Sequence, residues 1–389
     1  MKTKNNTKLA AAFGITFVWF TTQFGGGFAS GAQLKSYFIN YGIWCLITCI
    51  GAQAICAFYN WYIAYFARKH QTYDYSSFNK AFYGKYSSVF SNLFELVYIF
   101  VLLVVPAVAF STGGSTLASL TGMPYILCTA VIGVFIFIVA IYGTAIVRKV
   151  ATALSILIVA GLLIVFIPNI IVQWGSITAE IGKMAVTPAP ILPALWSMIV
   201  YAAFQIASSP AIHSQHAEVL ESPADAKGSY ILGFFVNSAM ILLSTVGVLA
   251  IVSSADYDKS ALPVLLLIQN GVGGKILLPI LSVLIILGSV STAVNMVAAG
   301  TSRVCHLVDK NYNPDAKPTA KVIVTTLVLC LVGFGVAQFG LLPLVNKGYG
   351  ILGYLTFPVI MIPYIVHMVA TKFDTKFDTK SDKKSDIKE

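Results

Sequence analysis

Charge is what this chain has least of. Only 10% of its 389 residues are Asp, Glu, Lys or Arg, against roughly 25% in an average soluble domain. Residues 99–145 carry none. With 57% of residues hydrophobic, the chain has too little polar surface to cover a water-soluble body of its size. The composition points to an all-α polytopic membrane protein.

Other absences exclude functions. The sequence has no HExxH, no nucleophile elbow, no phosphate-binding loop and no cluster of carboxylates at membrane depth, so an embedded enzyme would lack its machinery. No CxxC occurs among the six cysteines, Cys45, Cys49, Cys56, Cys128, Cys305 and Cys330. They read as small buried hydrophobes; a metal held by Cys45 and Cys49 is the alternative, without supporting ligands. No small-residue cleavage site follows the first apolar run, which Lys2, Lys4 and Lys8 precede. That run is therefore expected to stay as a span.

A span needs about 20 apolar residues. Ten such segments are expected: 9–38, 42–67, 89–117, 123–142, 146–172, 189–216, 228–252, 276–305, 320–339 and 348–370. Residues 1–8 precede them, 9–172 and 189–370 form two halves of five spans, and 173–188 is an external loop between the halves. Residues 73–86 read as an amphipathic interfacial helix, and 254–274, with Gly271, Gly273 and Gly274, as a folded external loop. The tail, 371–389, repeats Lys-Phe-Asp-Thr from Lys372 and has no core-forming pattern, so it is expected to be disordered and solvated. With the amino terminus inside, 20 of the 25 Lys and Arg residues fall on the inner side, leaving Lys35, Lys183, Lys259, Lys275 and Lys347 outside. This asymmetry orients the chain with both termini cytoplasmic, in a plasma membrane. It also assigns the net charge of +10 to the inner leaflet rather than to nucleic acid.

Two spans carry interruptions. Gly25, Gly26 and Gly27, followed by Gly31, lie within the first apolar segment. Each glycine costs a helix about 1 kcal/mol relative to alanine, and broken backbone is tolerated in a membrane only where protein buries it or it lines a wet cavity. The sixth span holds Pro210, which removes a helical donor, with Gln205, Ser208 and Ser209 at about the same depth. A simple proline kink is the alternative there. The interruptions are five spans apart, so they fall at matching positions of two repeats of opposite topology. That is the sequence pointer to a transporter site near the bilayer midplane.

On these residues the chain resembles the amino acid–polyamine–organocation superfamily, with its LeuT-type five-plus-five inverted repeat in which helices 1 and 6 are broken. Its run Gly-Gly-Gly-Phe-Ala-Ser-Gly, residues 25–31, is most similar to the YkvI-like membrane proteins and matches the superfamily's Gly-Ser-Gly-Ile-Phe break. Residues 217–223 (Ala-Glu-Val-Leu-Glu-Ser-Pro) resemble its Glu-Val-x-Asn-Pro stretch, and 302–314 its Ser-Arg…Asp-Gly-x-x-Pro ending. The resemblance covers 9–370. It departs at Ile206, where the superfamily often has glycine; Pro210 is expected to supply the break instead.

The resemblance implies a substrate site on the backbone of Gly25, Gly26, Gly27, Phe28 and Ala29, with Ser30 nearby. It implies a carboxylate-binding hydroxyl at Tyr98 and an aromatic gate at Phe204, with Gln205 and Ser208 as polar neighbours; packing roles are the alternatives for Tyr98 and Phe204. No lysine, arginine or aspartate lies in the central spans, which suits a zwitterionic or neutral solute better than a charged one. For coupling, sodium-coupled members of the fold imply a Na+ site at Gln23, Ser291 and Thr292, with Asn295 one turn on. Helix packing through small residues is the alternative for those hydroxyls. The region 152–156 has no lysine, unlike some proton-coupled relatives, which favours Na+ over H+. Glu95 is a coupling candidate that alternatively pairs with a basic residue at the inner mouth. His213 and His216, with Glu218 close by, form either a metal site or a polar helix end. The expected function is secondary active transport of a small zwitterion, an amino acid by default, by alternating access. The partners are that solute and the bilayer, and no cofactor beyond Na+ is implied. A transport-inactive sensor or channel-like facilitator on the same fold is the competing reading.

Overall fold

The computed structural model describes residues 2–142, 144–309 and 318–374, with burial and side chains described from residue 8 onward except at 26 and across 144–152. Every regular element among them is helical. The first apolar segment comprises three pieces, α1 (Lys2–Gln23), α2 (Gly26–Ala29) and α3 (Ala32–Tyr37). The first half continues with α4 (Cys45–His70), the short α5 (Tyr75–Tyr83), α6 (Ser87–Thr121), α7 (Tyr125–Tyr142) and α8 (Thr144–Val172). After α9 (Trp174–Val186), the second half opens with α10 (Ile191–Ile206) and α11 (Ser209–His216), followed by α12 (Asp225–Leu249), α13 (Pro263–Asn270), α14 (Leu277–Val308) and α15 (Ala320–Ala337). It closes with α16 (Leu341–Thr371), which contains π-helical turns at Leu344–Gly348 and Phe357–Met361.

Among the described residues eight helices are long and apolar enough to cross a bilayer, and α10 with α11, bent by 56°, makes a ninth. The three-piece segment α1–α3 is not in that set, so the expected count of ten depends on reading it as one interrupted crossing. Leu96, Ile99, Val131, Val134, Ile164 and Val324 are exposed, as helices do that face hydrocarbon with their backbone bonds satisfied internally.

The helices sort into two packed groups. α6, α7, α14 and α15 pack on one another around Phe110, Ile132, Ile136, Val290, Val294 and Val297. α1, α4, α10, α11 and α12 pack together around Trp19, Cys56, Tyr201 and Tyr230. α8 touches both α12 and α14, and α2 reaches across to α6 and α14. The broken segment therefore lies where the groups meet.

Three expectations change. The stretch 173–188 is mostly helix, α9, anchored by the buried Ile177. α5 is amphipathic as expected, but its apolar side (Phe78, Phe82 and Tyr83) is buried in the protein, against α6 and α11. Asp74 caps it, accepting from the backbone amides of Ser76 at 3.0 Å and Ser77 at 2.9 Å. The Ser77 hydroxyl, then these amides, hold the Asp74 carboxyl below its ordinary range. The start of the tail is docked rather than solvated. Asp374 is buried, with Oδ2 2.7 Å from His70 Nε2 and its carbonyl accepting from Lys69 Nζ at 2.6 Å. Phe373 packs beside Phe58, Trp61 and Tyr62. The tail from residue 375 and the end of the third motif, 310–314, lie outside the described residues.

The folded loop at 254–274 contains α13, whose Val264, Leu265, Leu267 and Ile268 are buried. It is tied to the broken segment twice. Val264 N donates to the Ser30 carbonyl at 3.2 Å. The buried Lys35 ammonium donates to the carbonyls of Tyr257 at 2.5 Å, Asp258 at 2.9 Å and Ser260 at 3.2 Å. The opposite, basic end carries Lys8 paired with Asp225 at 2.8 Å and Arg303 paired with Glu95 at 2.5 Å.

The contact between α1 and α12 requires a glycine. A Cβ at Gly233 would lie 2.6 Å from Trp19 Cε3, whereas one at Gly228 meets nothing within 4 Å. Gly233→Ala is expected to destabilise by about 1–3 kcal/mol through overpacking, and Gly228→Ala to leave stability unreduced. Melting temperatures of the two variants in detergent check this pair.

Candidate substrate site at two helix breaks

The first break begins where α1 runs out of helix. Phe24 N still donates to the Phe20 carbonyl at 2.8 Å. The Gly25 carbonyl then accepts from Phe28 N at 3.0 Å and Ala29 N at 3.1 Å, which starts α2. Ser30 closes that turn, its hydroxyl donating to the Gly27 carbonyl at 2.7 Å and accepting from Ala32 N at 3.2 Å. Gly31 follows with φ 85°, in the left-handed region that side chains avoid. A Cβ there would also lie 2.9 Å from Val264 Cγ2. Gly25 is small for a different reason: a Cβ on it would lie 3.3 Å from Thr292 Oγ1 of α14.

The second break falls at Ala207 and Ser208, between α10 and α11. Pro210 was expected to make this break. It sits in the first turn of α11, where its fixed φ suits a helix start and it has no N–H for the Ile206 carbonyl four residues back. Ile206, where the resemblance led to a glycine being expected, is fully buried at the end of α10.

Between the breaks lies a cavity of about 270 Å³. Gln23, Gly25, Gly27 and Phe28 line it from the first segment, Phe204, Gln205 and Ser208 from the second, and Ser291, Thr292 and Asn295 from α14. Nine of the residues named from the sequence for substrate or ion binding thus meet in one space (Gln23, Gly25, Gly27, Phe28, Phe204, Gln205, Ser208, Ser291 and Thr292). Gly26 lies between two of them in α2. Ala29 and Ser30 are buried behind the lining, where Ser30 serves the turn.

Tyr98 and Glu95 lie elsewhere. On α6 the cavity is lined by Val101 and Val105. Tyr98 is one turn nearer the basic end, about 4.5 Å along the axis from Val101. There it stacks with Tyr75 and Phe94, and the Arg303 guanidinium lies over its ring at 4.6 Å. Arg303 also donates to the Tyr75 hydroxyl and to Glu95. The Tyr98 hydroxyl assignment is therefore corrected: α5 and α14 cover that ring. Glu95 is the pairing case: it lines a separate cavity beside Tyr75 and Arg303, not the central one. His213 and His216 hold no metal cluster among the described residues. His213 Nδ1 is 2.8 Å from the Tyr230 hydroxyl and His216 Nδ1 is 2.8 Å from the Ile212 carbonyl.

Gln33, Tyr349 and Leu352 line the cavity without having been named from the sequence. Gln33 had a signal, a polar residue just past the glycine break in an apolar run. Tyr349 had none among 19 tyrosines. No lining residue is Asp, Glu, Lys, Arg or His. Gln23 and Gln33, which line the cavity, each carry a buried side-chain oxygen with no hydrogen-bond partner, a costly state. One side of the cavity is shut by aromatic rings: Phe204 stacks on Tyr349 at 4.5 Å and lies 5.3 Å from Tyr37. The Tyr37 hydroxyl donates to the Val345 carbonyl at 2.8 Å. Thr22 and Asn295, at the other side, are exposed, so the cavity opens toward the basic end.

Two broken spans, matched across the halves and meeting at a central cavity, define the LeuT-type transporter fold. No family model and no curated protein matches the chain. Among solved structures it is similar to the manganese transporter of Eremococcus coleocola, bound to an aromatic bis-isothiourea compound. The TM-score is 0.60 at 15% identity, covering 92% of this chain and 78% of that one. It is also similar to Mhp1, a nucleobase-cation-symport-1 family transporter, closed with bromovinylhydantoin bound. There the TM-score is 0.53 at 15% identity, over 90% of this chain and 78% of that one. Both likenesses concern the fold.

The asymmetry of the cavity is open to test. All six native cysteines are buried, so an introduced thiol reports locally. Asn295→Cys is expected to react with a hydrophilic maleimide at least about tenfold faster than Phe204→Cys; equal rates would contradict the one-sided opening.

Proposed function

We propose that this chain is a secondary active transporter of a small zwitterionic solute, an amino acid as the first class to test, working by alternating access. The observation that carries this reading is a cavity at two helix breaks, without a charged lining residue and with two buried amide oxygens lacking donors. A zwitterion brings its own pair of charges and needs no lysine or aspartate in the wall. Its ammonium supplies donors to Gln23 and Gln33; for its carboxylate the amides of Phe28 and Ala29 are already spent on the Gly25 carbonyl, which leaves those of Gly26 and Gly27 as the ones proposed. The cavity is slightly smaller than the roughly 300–1,000 Å³ of drug-sized ligand sites, as a small solute requires. The cargo named for the manganese transporter does not suit this lining, which offers no carboxylate, imidazole or thiolate.

Na+ is the proposed coupling ion, ahead of H+, at Gln23, Ser291 and Thr292. Support comes from their shared cavity and from the closeness of Thr292 Oγ1 to the Gly25 backbone; hydroxyl and carbonyl oxygens are hard ligands. Phe204, between Tyr37 and Tyr349, is proposed as the gate on the closed side. The chain is placed with the amino acid–polyamine–organocation superfamily, nearest the YkvI-like branch, on the motif at 25–31. It is placed in a plasma membrane with both termini cytoplasmic, on its basic-residue asymmetry.

Reconstituted protein should show saturable uptake of at least one member of an amino-acid panel, driven by an imposed Na+ or H+ gradient. No driven uptake of any amino acid would overturn the substrate class. Thr292→Ala is expected to weaken the Na+ dependence of uptake by about tenfold or more, roughly the loss of one charge-assisted contact. An unchanged half-saturating Na+ concentration would remove Thr292 from the ion site.

A further inference from the structure

A larger cavity, of about 700 Å³, lies between α6, α14 and α15. It shares only Met296 with the central cavity. Ala299 and Gly300 of α14 and Gly333 of α15 line it with little or no side chain, which leaves the space unfilled. It opens sideways, because Ile99, Leu103, Val304 and Val332 are lining residues and are exposed.

Polarity is sorted along its length. On α6 the lining runs from Glu95 to Pro106, and on α14 from Met296 to Leu307, about 16 Å on either helix by helical rise. The polar lining residues, Tyr75, Glu95, Ser302, Arg303 and His306, gather at the basic end. Beyond them the walls are apolar, through Leu102, Leu103, Val297 and Leu329. The length is about half of a ~30 Å hydrocarbon core, the depth of one leaflet. A dissolved polar solute suits neither the apolar walls nor the sideways opening; a lipid acyl chain suits both.

The polar end selects among headgroups. Arg303 and Glu95, paired at 2.5 Å, keep 24% and 37% of their side chains exposed. Among the described residues, Arg303 donates through Nη2 alone, to Tyr75 and to Glu95 Oε2. Its Nη1 and Nε donors remain for a phosphate, which a guanidinium grips in bidentate fashion. The second carboxylate oxygen of Glu95 remains for an N–H donor. A net-negative lipid would gain the guanidinium but meet the carboxylate. A choline head brings no N–H for Glu95, and the ring faces of Tyr75 and Tyr98, where a quaternary ammonium would bind, are already covered by Arg303. A head carrying both a phosphate and a primary ammonium answers both members of the pair.

We propose that this groove binds one phosphatidylethanolamine from the leaflet at the basic end. One acyl chain lies between α6, α14 and α15, the phosphate on Arg303 and the ammonium on Glu95. The lipid then joins α5, through Tyr75, to the three helices.

The test is thermal unfolding of the delipidated full chain in detergent, titrated with phosphatidylethanolamine, phosphatidylcholine or phosphatidylglycerol of identical chains. Phosphatidylethanolamine is expected to raise the melting temperature saturably, with a half-saturating mole fraction at least about tenfold below those of the other two. Glu95→Gln should reverse the ranking in favour of phosphatidylglycerol, since the guanidinium is then uncompensated; a merely structural role for Glu95 would leave the ranking as it was. Leu103→Trp/Val332→Trp, which fills the groove from two exposed wall positions, should remove the saturable rise. The proposal is overturned if phosphatidylethanolamine gives no saturable rise, if the three lipids half-saturate alike, or if the filled variant keeps the rise. Where Glu95→Gln does not fold, the lipid ranking and the filled variant decide. None of these readouts measures transport, so their failure leaves the carrier reading standing.

Discussion

A backbone that stops being helical inside a membrane leaves N–H and C=O groups that hydrocarbon cannot satisfy. This chain does so twice, and much of its architecture answers that constraint. At the first break Gly25, Ser30 and Gly31 turn the chain through a four-residue helix whose carbonyls and hydroxyl are used locally. At the second, Ser208 accepts from Ala211 N and Ile212 N, so that α11 starts within two residues of the end of α10. The two helical groups close around these breaks, and what they leave unfilled is the central cavity.

Neutrality is the second theme. Ion pairs such as Lys8–Asp225, Lys69–Asp374 and Glu95–Arg303 stay near the ends of the helices. The centre is polar without being charged, and its selectivity rests on amides, hydroxyls and backbone. Such groups are expensive when unpaired, so the orphaned oxygens of Gln23 and Gln33 mark places where the protein expects company.

Much of this was legible in the sequence, for physical reasons. Glycines in an apolar run have few explanations, so Gly25, Gly27 and Phe28 could be placed at the cavity before any coordinates. A twenty-residue apolar period marks spans well, and the boundaries of α4, α6, α7 and α12 fall close to the expected ones. The rest depended on rotation and depth. Tyr98 shares a helix face with Val101 and Val105, but one turn decides between the cavity and the Arg303 cluster, and spacing alone does not set that depth. Tyr349 gave no signal because a gate tyrosine and a packing tyrosine look alike. The tail misled because its repeat has no periodic apolar face, yet a single Phe373 and a single Asp374 suffice to dock its start.

The Lys35 ammonium has a mechanical meaning beyond its hydrogen bonds. Its three acceptors lie within one loop, Tyr257 to Ser260, and Val264, which opens α13, is bonded to Ser30. The second half of the broken first segment and the loop that covers it are thus riveted at two points and behave as one plate. Any motion that uncovers the cavity on that side must swing the plate whole. The seam that parts is then the ring contact of Tyr37 with Phe204, together with the two hydrogen bonds that tie Tyr37 to Val345 and to Ser197.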